Sequence, residues 1–252
     1  MTGQIHPALR FWYSFIQSGM FITRLPLGWL HPRQDVAIPL GQTAMFFPLW
    51  GGIIAVLALL LVWPLYLLNL PWPMLAALLL LLGVLLSGGL HEDGLADCCD
   101  GFWGGKTSED RHRIMKDPAI GSYGTLGLIF SIGIRWIGLI QFEAEPLLFL
   151  LMHTLPRGFL GLLWAIFPLR QGLATQNPDM LHGGTGLLLA ILLGLVFTPP
   201  MLLGSTMAVC GLVMLGFCLL ALRKLGGLNG DCFGGAEQCG QIALVLVWPA
   251  LF

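Results

Sequence analysis

Three aspartates are spaced so that one helical face carries all of them. Asp93, Asp97 and Asp100 are four and then three residues apart, and at about 100° per residue these intervals place the side chains on one side of a helix. Carboxylates held together repel one another unless a cation lies between them. Mg²⁺ prefers oxygen ligands and is usually held by one or two carboxylates together with substrate phosphates. The spacing therefore predicts a metal site at Asp93, Asp97 and Asp100, with Mg²⁺ as the cofactor.

Side chains near these aspartates could act on a ligand bound there. His91 precedes the first aspartate by two residues, a position from which it could orient a carboxylate or transfer a proton. A hydrogen-bonding role at the start of the helix explains His91 equally well. Glu92 falls about a quarter-turn away from the aspartates, so we leave it outside the ligand set. Lys116 and Asp117 directly precede the next apolar run, and we expect them to contact a phosphorylated ligand.

The elements that position these residues are predicted to be membrane-spanning helices. The chain has 56% hydrophobic and only 10% charged residues, whereas soluble domains carry roughly 25% charged residues. Backbone groups inside a bilayer must be hydrogen-bonded internally, and no alternating barrel pattern is present, so we predict an all-α polytopic bundle of six or seven helices. Apolar runs long enough to cross about 30 Å of hydrocarbon occupy residues 44–68, 72–90, 123–141, 146–167, 186–197 and 201–222, with a shorter run at 238–252.

We treat residues 1–252 as a single transmembrane catalytic domain. Residues 1–43 form an N-terminal segment whose Trp12 and neighbouring aromatic and arginine side chains are typical of a helix at the headgroup boundary. Packing of this helix on the domain is an equal alternative. Residues 88–124 form the acidic motif, and residues 226–241 are predicted to be a second glycine-rich acidic loop on the same side, with Asp231 as a site residue. Glu237 in that loop stays unassigned.

The distribution of positive charge predicts the orientation. Net charge is −1, so no overall basic field favours nucleic acid as a partner. The connections on the side of the acidic motif carry the Lys and Arg residues, whereas the loop after the third run carries Glu143 and Glu145 and no basic residue. The positive-inside rule therefore places the acidic motif at the cytoplasmic face of a multi-pass inner-membrane protein. Ten of the twelve basic residues fall on one side of this topology: Arg10, Arg24, Arg33, Lys106, Arg111, Arg113, Lys116, Arg170, Arg223 and Lys224.

Arg135 and Arg157 are the two exceptions, because each lies inside an apolar run. Ionisable residues at that depth usually face a partner or a polar cavity. One interpretation is a structural ion pair with an acid of the motif. The other, which we favour for at least one of them, is that the guanidinium binds a substrate phosphate.

Six cysteines occur without a CxxC pair, and we interpret them as reduced, small core residues. Cys98 and Cys99 lie between two of the aspartates, where zinc ligation is conceivable. No second thiolate or histidine pair completes such a site.

Several ordered motifs resemble those of the cobalamin synthase family, also called adenosylcobinamide-GDP ribazoletransferase. They are GLHEDGLADCCDG at 89–101, IMKDPAIGSYG at 114–124, FITRLP at 21–26, FPLWGG at 47–52 and GGLNGDCFGG at 226–235. The resemblance spans nearly the whole chain, although the runs between the motifs match only in being apolar. Two positions depart from the family pattern: the family usually has threonine where this chain has Asn229, and often an acid where it has Gln241. Neither position is therefore assigned to the site.

The resemblance implies a Mg²⁺-dependent transferase at the last stage of vitamin B12 assembly. Adenosylcobinamide-GDP and α-ribazole, or its 5′-phosphate, would give adenosylcobalamin or its 5′-phosphate with release of GMP. One of the three aspartates, or His91, would accept the hydroxyl proton. The partners expected are these substrates and the lipid bilayer, and the oligomeric state is left open between a monomer and a homo-oligomer. The predicted substrate-binding residues are Arg24, Lys116, Asp117, Arg135, Arg157 and Asp231.

Two other functions are weaker alternatives. A CDP-alcohol phosphotransferase also aligns aspartates on helices, but its motif places them differently from residues 88–124. A cation or corrinoid transporter usually shows two similar halves with broken helices near mid-membrane. We find no internal repeat, and the acids cluster at one face of the predicted bundle.

Overall fold

The structure, a computed structural model, describes residues 6–30, 38–141, 146–167, 169 and 177–248. Within these ranges the regular structure is helical, apart from one isolated bridge between Leu169 and Leu228, and the predicted all-α class is confirmed. The helices are α1 (Pro7–Ile22), α2 (Leu40–Thr43), α3 (Phe47–Leu67), α4 (Trp72–Ser87), α5 (Leu90–Gly104), α6 (Ser108–Met115), α7 (Ser122–Gln141), α8 (Pro146–Ile166), α9 (Met180–Phe197), α10 (Pro200–Leu225) and α11 (Gly230–Val247), with 3₁₀ turns at Gly28–Leu30 and Ala44–Phe46.

Five helical segments of the described chain are long and apolar enough to cross a membrane, and a bent sixth, α4 with α5, qualifies only as a pair. The five are Leu40–Leu67, which joins α2 to α3, together with α7, α8, α9 and α10. The last predicted run differs from its prediction, because α11 begins at Gly230 rather than near residue 238 and residues 249–252 lie outside the described ranges. Helix α9 also begins early, at Met180, because the Asp179 side chain accepts the His182 backbone N–H at 2.8 Å and caps the helix.

Helix α8 lies at the centre of the bundle. In its most apolar stretch 78% of the residues are buried within the protein, compared with 22–28% for α7, α9 and α10. It packs against α3, α9, α10 and α11. The outer helices expose leucine, isoleucine and phenylalanine side chains, which the hydrocarbon of a bilayer would cover. Polar groups on α8 are therefore enclosed by protein rather than lipid.

The bend between α4 and α5 results from two consecutive glycines. Gly88 and Gly89 have φ values of 72° and 68°, in the left-handed region that glycine adopts without steric cost. They end α4 and redirect the chain by 90° into α5. A run predicted as one span up to residue 90 therefore stops at Ser87, and the aspartates lie on a helix that leaves the direction of the span.

One end of the bundle collects the charged segments. Helix α6 is attached to the end of α10, because Arg111 Nη1 donates to the Lys224 carbonyl at 2.7 Å and Ser108 Oγ donates to the Leu225 carbonyl at 2.7 Å. Lys224 Nζ donates in turn to the Phe102 carbonyl of α5 at 3.1 Å. Arg33, Glu143, Glu145 and Arg170, which also entered the charge pattern, lie outside the described residues.

Helix α1 packs on the bundle with one face and exposes the other. Trp50 Nε1 donates to the Phe15 carbonyl at 2.8 Å, and the two rings stack with centroids 4.7 Å apart. Leu9, Phe11 and Trp12 remain exposed. Both interpretations of this segment are compatible with that arrangement, since a helix at the headgroup boundary can also contact the domain.

Candidate active site

Helices α5 and α11 approach each other closely at the charged end. A Cβ at Gly94 would come within 2.7 Å of the Asp231 carbonyl oxygen, and one at Gly234 within 3.2 Å of the His91 Cα. The first distance is too short for a Cβ and the second is tighter than most Cβ contacts, so these glycines permit the two backbones to touch. The glycine-rich acidic motifs of the sequence therefore meet by direct helix packing.

Most of residues 226–241 is helix rather than the predicted loop. Only residues 226–229 connect α10 to α11. Asn229 Oδ1 accepts the Cys232 backbone N–H at 3.1 Å and so caps α11. Threonine and asparagine can both serve as N-caps, so Asn229 can cap the helix as the threonine usual in the family would. Because α11 begins at Gly230, Asp231 lies in the first turn of the helix.

A cavity of about 670 Å³ lies beside the α4–α5 bend. Asp93 and Asp97 of α5 line it together with Arg24, Lys116 and Asp117. Arg24 packs against Gly88 at the bend, and its backbone N–H donates to the Leu86 carbonyl at 2.8 Å. Asp117 Oδ1 accepts the Ala119 N–H at 3.0 Å, which orders the turn after α6. Five of the predicted site residues are thus brought to one cavity from three segments of the chain.

The carboxylates at this end interact electrostatically. Helix α5 turns away from the span and leads into the charged helix α6. Burial raises the pKa of Asp97 to about 7, and repulsion from Asp231, Asp93 and Asp100 adds to that rise. Burial and the neighbouring Asp93 likewise raise the pKa of Asp231, against the opposing hydrogen bond from Asn229. Such mutual repulsion is the property that a bound cation would relieve.

Asp100 has a different environment from the other two aspartates. Its Oδ2 accepts the Gly121 N–H at 2.7 Å and its Oδ1 accepts the Gly124 N–H at 2.9 Å, so the buried carboxylate caps the start of α7. A Cβ at either glycine would overlap this carboxylate. The motif IGSYG is therefore shaped to receive Asp100. Its role as a metal ligand stays a prediction.

The carboxylates suit Mg²⁺ by chemistry, although the described residues contain no group of three or more His, Cys, Asp or Glu side chains arranged to hold a metal. Mg²⁺ keeps several waters and commonly takes only one or two protein carboxylates beside substrate phosphates. Asp93 and Asp97 are one helical turn apart on the wall of a charged cavity. Their mutual repulsion and oxygen donors fit such a partly protein-bound ion.

His91 lies on the other side of α5 from the charged cavity. Its Nδ1 is 3.3 Å from Arg157 Nη2 and 3.5 Å from Glu237 Oε2. His91 also lines a second, smaller cavity of about 130 Å³, whose other walls are mainly aromatic and aliphatic and which includes Asp231. Leu90 lines both cavities, so they adjoin. The predicted role of His91 in proton transfer stays a prediction.

Arg157 is held by protein groups in the centre of the bundle. Its Nη1 lies 2.7 Å from Glu237 Oε1, and the two side chains are 2% and 0% exposed. The same nitrogen donates to the His153 carbonyl at 3.0 Å. Gly51 of α3 packs directly on His153 and Arg157, which accounts for the first glycine of FPLWGG. The geometry matches the interpretation of a buried ion pair, and its acid comes from the second motif.

Arg135 is also paired, with an acid of the first motif. Its Nη1 lies 3.4 Å from Glu92 Oε1 and donates to Gln241 Oε1 at 2.8 Å. Gln241 Nε2 then donates to Glu237 Oε1 at 2.8 Å, so the amide links the two ion pairs. An acid at 241 could not donate that bond. Substrate binding by Arg135 or Arg157 stays a prediction, and neither lines either of the two cavities described above.

Sequence reasoning missed the buried network that includes Glu92 and Glu237. Two arginines inside apolar runs require compensating acids, and this was a usable signal. Gln238 also joins the network, through a 3.0 Å bond from its Nε2 to Glu92 Oε1. The partners could not be assigned from spacing, because they lie on four different helices.

Comparisons with known proteins point to one family, and the similarity extends over most of the chain. A family model described as cobalamin-5-phosphate synthase matches residues 14–249. A protein of Shewanella baltica (strain OS185) named adenosylcobinamide-GDP ribazoletransferase is 33% identical over 245 residues, covering 92% of each chain. A protein of the same name from Bradyrhizobium diazoefficiens is 37% identical over 246 residues, covering 91% of this chain and 90% of its own. No solved structure matches the chain.

Proposed function

We propose, from the premise that this chain belongs to the cobalamin-5-phosphate synthase family, that its charged cavity binds the diphosphate of adenosylcobinamide-GDP. The activity is that of the adenosylcobinamide-GDP ribazoletransferases, in cobalamin biosynthesis. The observation that carries the assignment of the cavity is its mixture of charges. Arg24 and Lys116 could neutralise phosphate oxygens, and Asp93 and Asp97 could hold a cation against them.

The reaction is a substitution at phosphorus. A hydroxyl oxygen of ribazole forms a new P–O bond to the cobinamide-side phosphorus, and the bond from that phosphorus to the bridging oxygen breaks, so that GMP leaves with the electron pair. The hydroxyl proton passes to a carboxylate. Asp231 is suited to accept it, because burial and the neighbouring Asp93 raise the pKa of its carboxyl and it is not among the residues that would hold the cation.

We propose Mg²⁺ as the cofactor. When bound, the ion would neutralise charge on the diphosphate and on the departing GMP. Asp93 and Asp97 would hold it, and Asp100 has lone pairs left to contribute, since each of its oxygens accepts one hydrogen bond. Arg24, from the segment after α1, lines the same cavity and would bind the diphosphate of the donor.

We further propose that the protein lies in the inner membrane with the charged cavity at the cytoplasmic face. Basic side chains at this end support the orientation under the positive-inside rule: Arg24, Lys106, Arg111, Lys116, Arg223 and Lys224. A cytoplasmic opening also suits substrates that carry phosphate groups and cannot cross hydrocarbon unaided.

A two-substrate assay tests the proposal. Purified protein in detergent or liposomes should release GMP from adenosylcobinamide-GDP and α-ribazole with Mg²⁺ and stop when EDTA removes the ion. Asp97→Asn should reduce kcat at least a hundredfold. Glu109→Gln, which neutralises an exposed acid on α6, is the matched control and should retain activity. Full activity in Asp97→Asn, or in EDTA, would contradict the metal assignment without affecting the family assignment.

A further inference from the structure

The smaller cavity next to the diphosphate cavity has the composition of a site for a flat apolar ring. Two aromatic pairs form its walls. Phe21 and Phe47 stack with centroids 6.1 Å apart, and Trp164 and Phe233 lie tilted at 6.4 Å. Trp164 Nε1 donates to Asn177 Oδ1 at 2.7 Å, so its polar atom is satisfied away from a ligand. The walls therefore offer aromatic rings and few hydrogen-bonding groups.

From this cavity we infer a subsite for the base of the nucleoside acceptor, an inference that rests on the proposed function. Ribazole is a nucleoside whose base is a dimethylated benzimidazole, a bicyclic aromatic group with one free ring nitrogen. A cavity of about 150 Å³ can hold a benzene ring, and this one measures about 130 Å³ and is open on one side. It takes the methylated edge of the base, while the rest of the base and the sugar lie at the opening.

The polar groups of the cavity match such a nucleoside. Arg157 can only donate hydrogen bonds, and its Nη2 is closer to the His91 Nδ1, at 3.3 Å, than the Glu237 carboxylate is, at 3.5 Å. We therefore assign Nδ1 as an acceptor and place the proton of the neutral ring on Nε2. That Nε2–H has no hydrogen-bond partner among the described residues and can donate to the free nitrogen of the base. Asp231 also lines the cavity and would lie near the ribose, between the base and the charged cavity.

The other rings of the two substrates fit this cavity poorly. Guanine and the adenine of the adenosyl group carry several donors and acceptors along their edges, and most of them would be buried against aromatic walls without partners, which weakens binding. The corrin macrocycle is far larger than about 130 Å³. Leu90 separates this cavity from the charged one and lines both. The base and the diphosphate would therefore bind on the two sides of Leu90, with the sugar hydroxyls directed at the phosphorus.

A glycine on the wall allows the cavity to be filled without disturbing the fold. A Cβ at Gly230 meets no heavy atom within 4 Å, and its backbone is helical with no positive φ. Gly230→Leu should raise both the Kd for α-ribazole alone and its KM at least tenfold, with the KM for adenosylcobinamide-GDP changed less than twofold. Gly216→Leu is the matched control, because Gly216 on exposed α10 surface also has open space.

A second variant removes a wall instead of adding to the cavity. Phe21 is 40% exposed, so Phe21→Ala should fold, and it should weaken α-ribazole binding about tenfold. Met20→Ala, on the same helix, should leave α-ribazole binding unchanged. Replacing the free ring nitrogen of the base by CH should weaken binding to the native protein and make little difference to His91→Phe. A shift in the donor KM, or unchanged α-ribazole affinity in both Gly230→Leu and Phe21→Ala, overturns the inference.

The outcomes separate this inference from the proposed function. Binding of α-ribazole is measured on the detergent-solubilised protein by tryptophan fluorescence, without Mg²⁺ or donor. Native protein that binds α-ribazole, loses it in Gly230→Leu and releases no GMP would support the subsite and refute the transferase. Release of GMP that Gly230→Leu and Phe21→Ala leave unchanged would support the transferase and refute the subsite.

Discussion

Removing Glu237 should destabilise the whole bundle, because this acid neutralises a guanidinium that has no access to water. Arg157 Nη1 lies 2.7 Å from Glu237 Oε1, with the side chains 2% and 0% exposed. Glu237 also accepts hydrogen bonds from Gln241 and Gln238, at 2.8 and 3.1 Å. The substitution Glu237→Gln keeps the size of the side chain but leaves the charge of Arg157 uncompensated and turns one acceptor into a donor.

Breaking a fully buried pair from one side costs about 3–5 kcal/mol. That amounts to a factor of roughly 150 to 4,000 in the unfolding equilibrium. Reversible unfolding of the purified protein by SDS in mixed micelles measures the change. The control is the exposed pair of Arg113 and Asp110, 3.6 Å apart with side chains 76% and 44% exposed. Asp110→Asn should change stability by less than about 1 kcal/mol.

A double substitution separates the ion pair from simple loss of packing. Replacing Glu237 by leucine and Arg157 by methionine removes both charges and fills a similar volume, which is often tolerated in protein interiors. The double variant should be more stable than Glu237→Leu alone. The reasoning is refuted if Glu237→Gln is no more destabilising than Asp110→Asn, or if the double variant loses the sum of the two single changes.

Three further outcomes are expected. Gly121→Ala should lower stability by about 1–2 kcal/mol in the same titration, because its Cβ would displace the Asp100 carboxylate from the start of α7, whereas Gly133→Ala, with open space around it, should not. The Mg²⁺ dissociation constant, followed by calorimetry, should rise by up to about tenfold per unit as the pH falls below about 7, because the raised pKa of Asp97 lets a proton compete with the ion; a pH-independent constant from 5 to 8 would count against Asp97 as a ligand. Gly88→Ala should lower stability by about 1 kcal/mol, because alanine resists the left-handed φ of 72°, and an unchanged unfolding midpoint would contradict the described bend.

Much of the candidate site could be anticipated because its signals are local. The interval between Asp93 and Asp97 is one helical turn, so any helix places them together. Lys116 and Asp117 follow a charged helix and return to the same end of the bundle. The aspartates, Lys116 and Asp117 all stand between the apolar runs 72–90 and 123–141, so a single connection holds them at one end of the bundle.

Other assignments depended on contacts between distant segments. Asp100 has the same helical spacing as its neighbours, yet it accepts two backbone N–H groups from the start of α7. Glu237 stands in a glycine-rich segment that resembles a connector, yet Asn229 begins a helix there and carries the acid into the core. Spacing along one helix cannot distinguish a carboxylate that faces a cavity from one that faces another helix.

The sequence by itself determined that this protein is built for a bilayer, that its fold is all-α, and which carboxylates share a helical face. A chain with 10% charged residues can bury its backbone in a bilayer only as helices, and aspartates one turn apart share a face whatever surrounds them. The tertiary structure decided how the charges are paired: Arg135 with Glu92, Arg157 with Glu237, and Asp100 with the amides of α7. Pairing across helices depends on which faces meet, and that is a property of packing that no local pattern encodes.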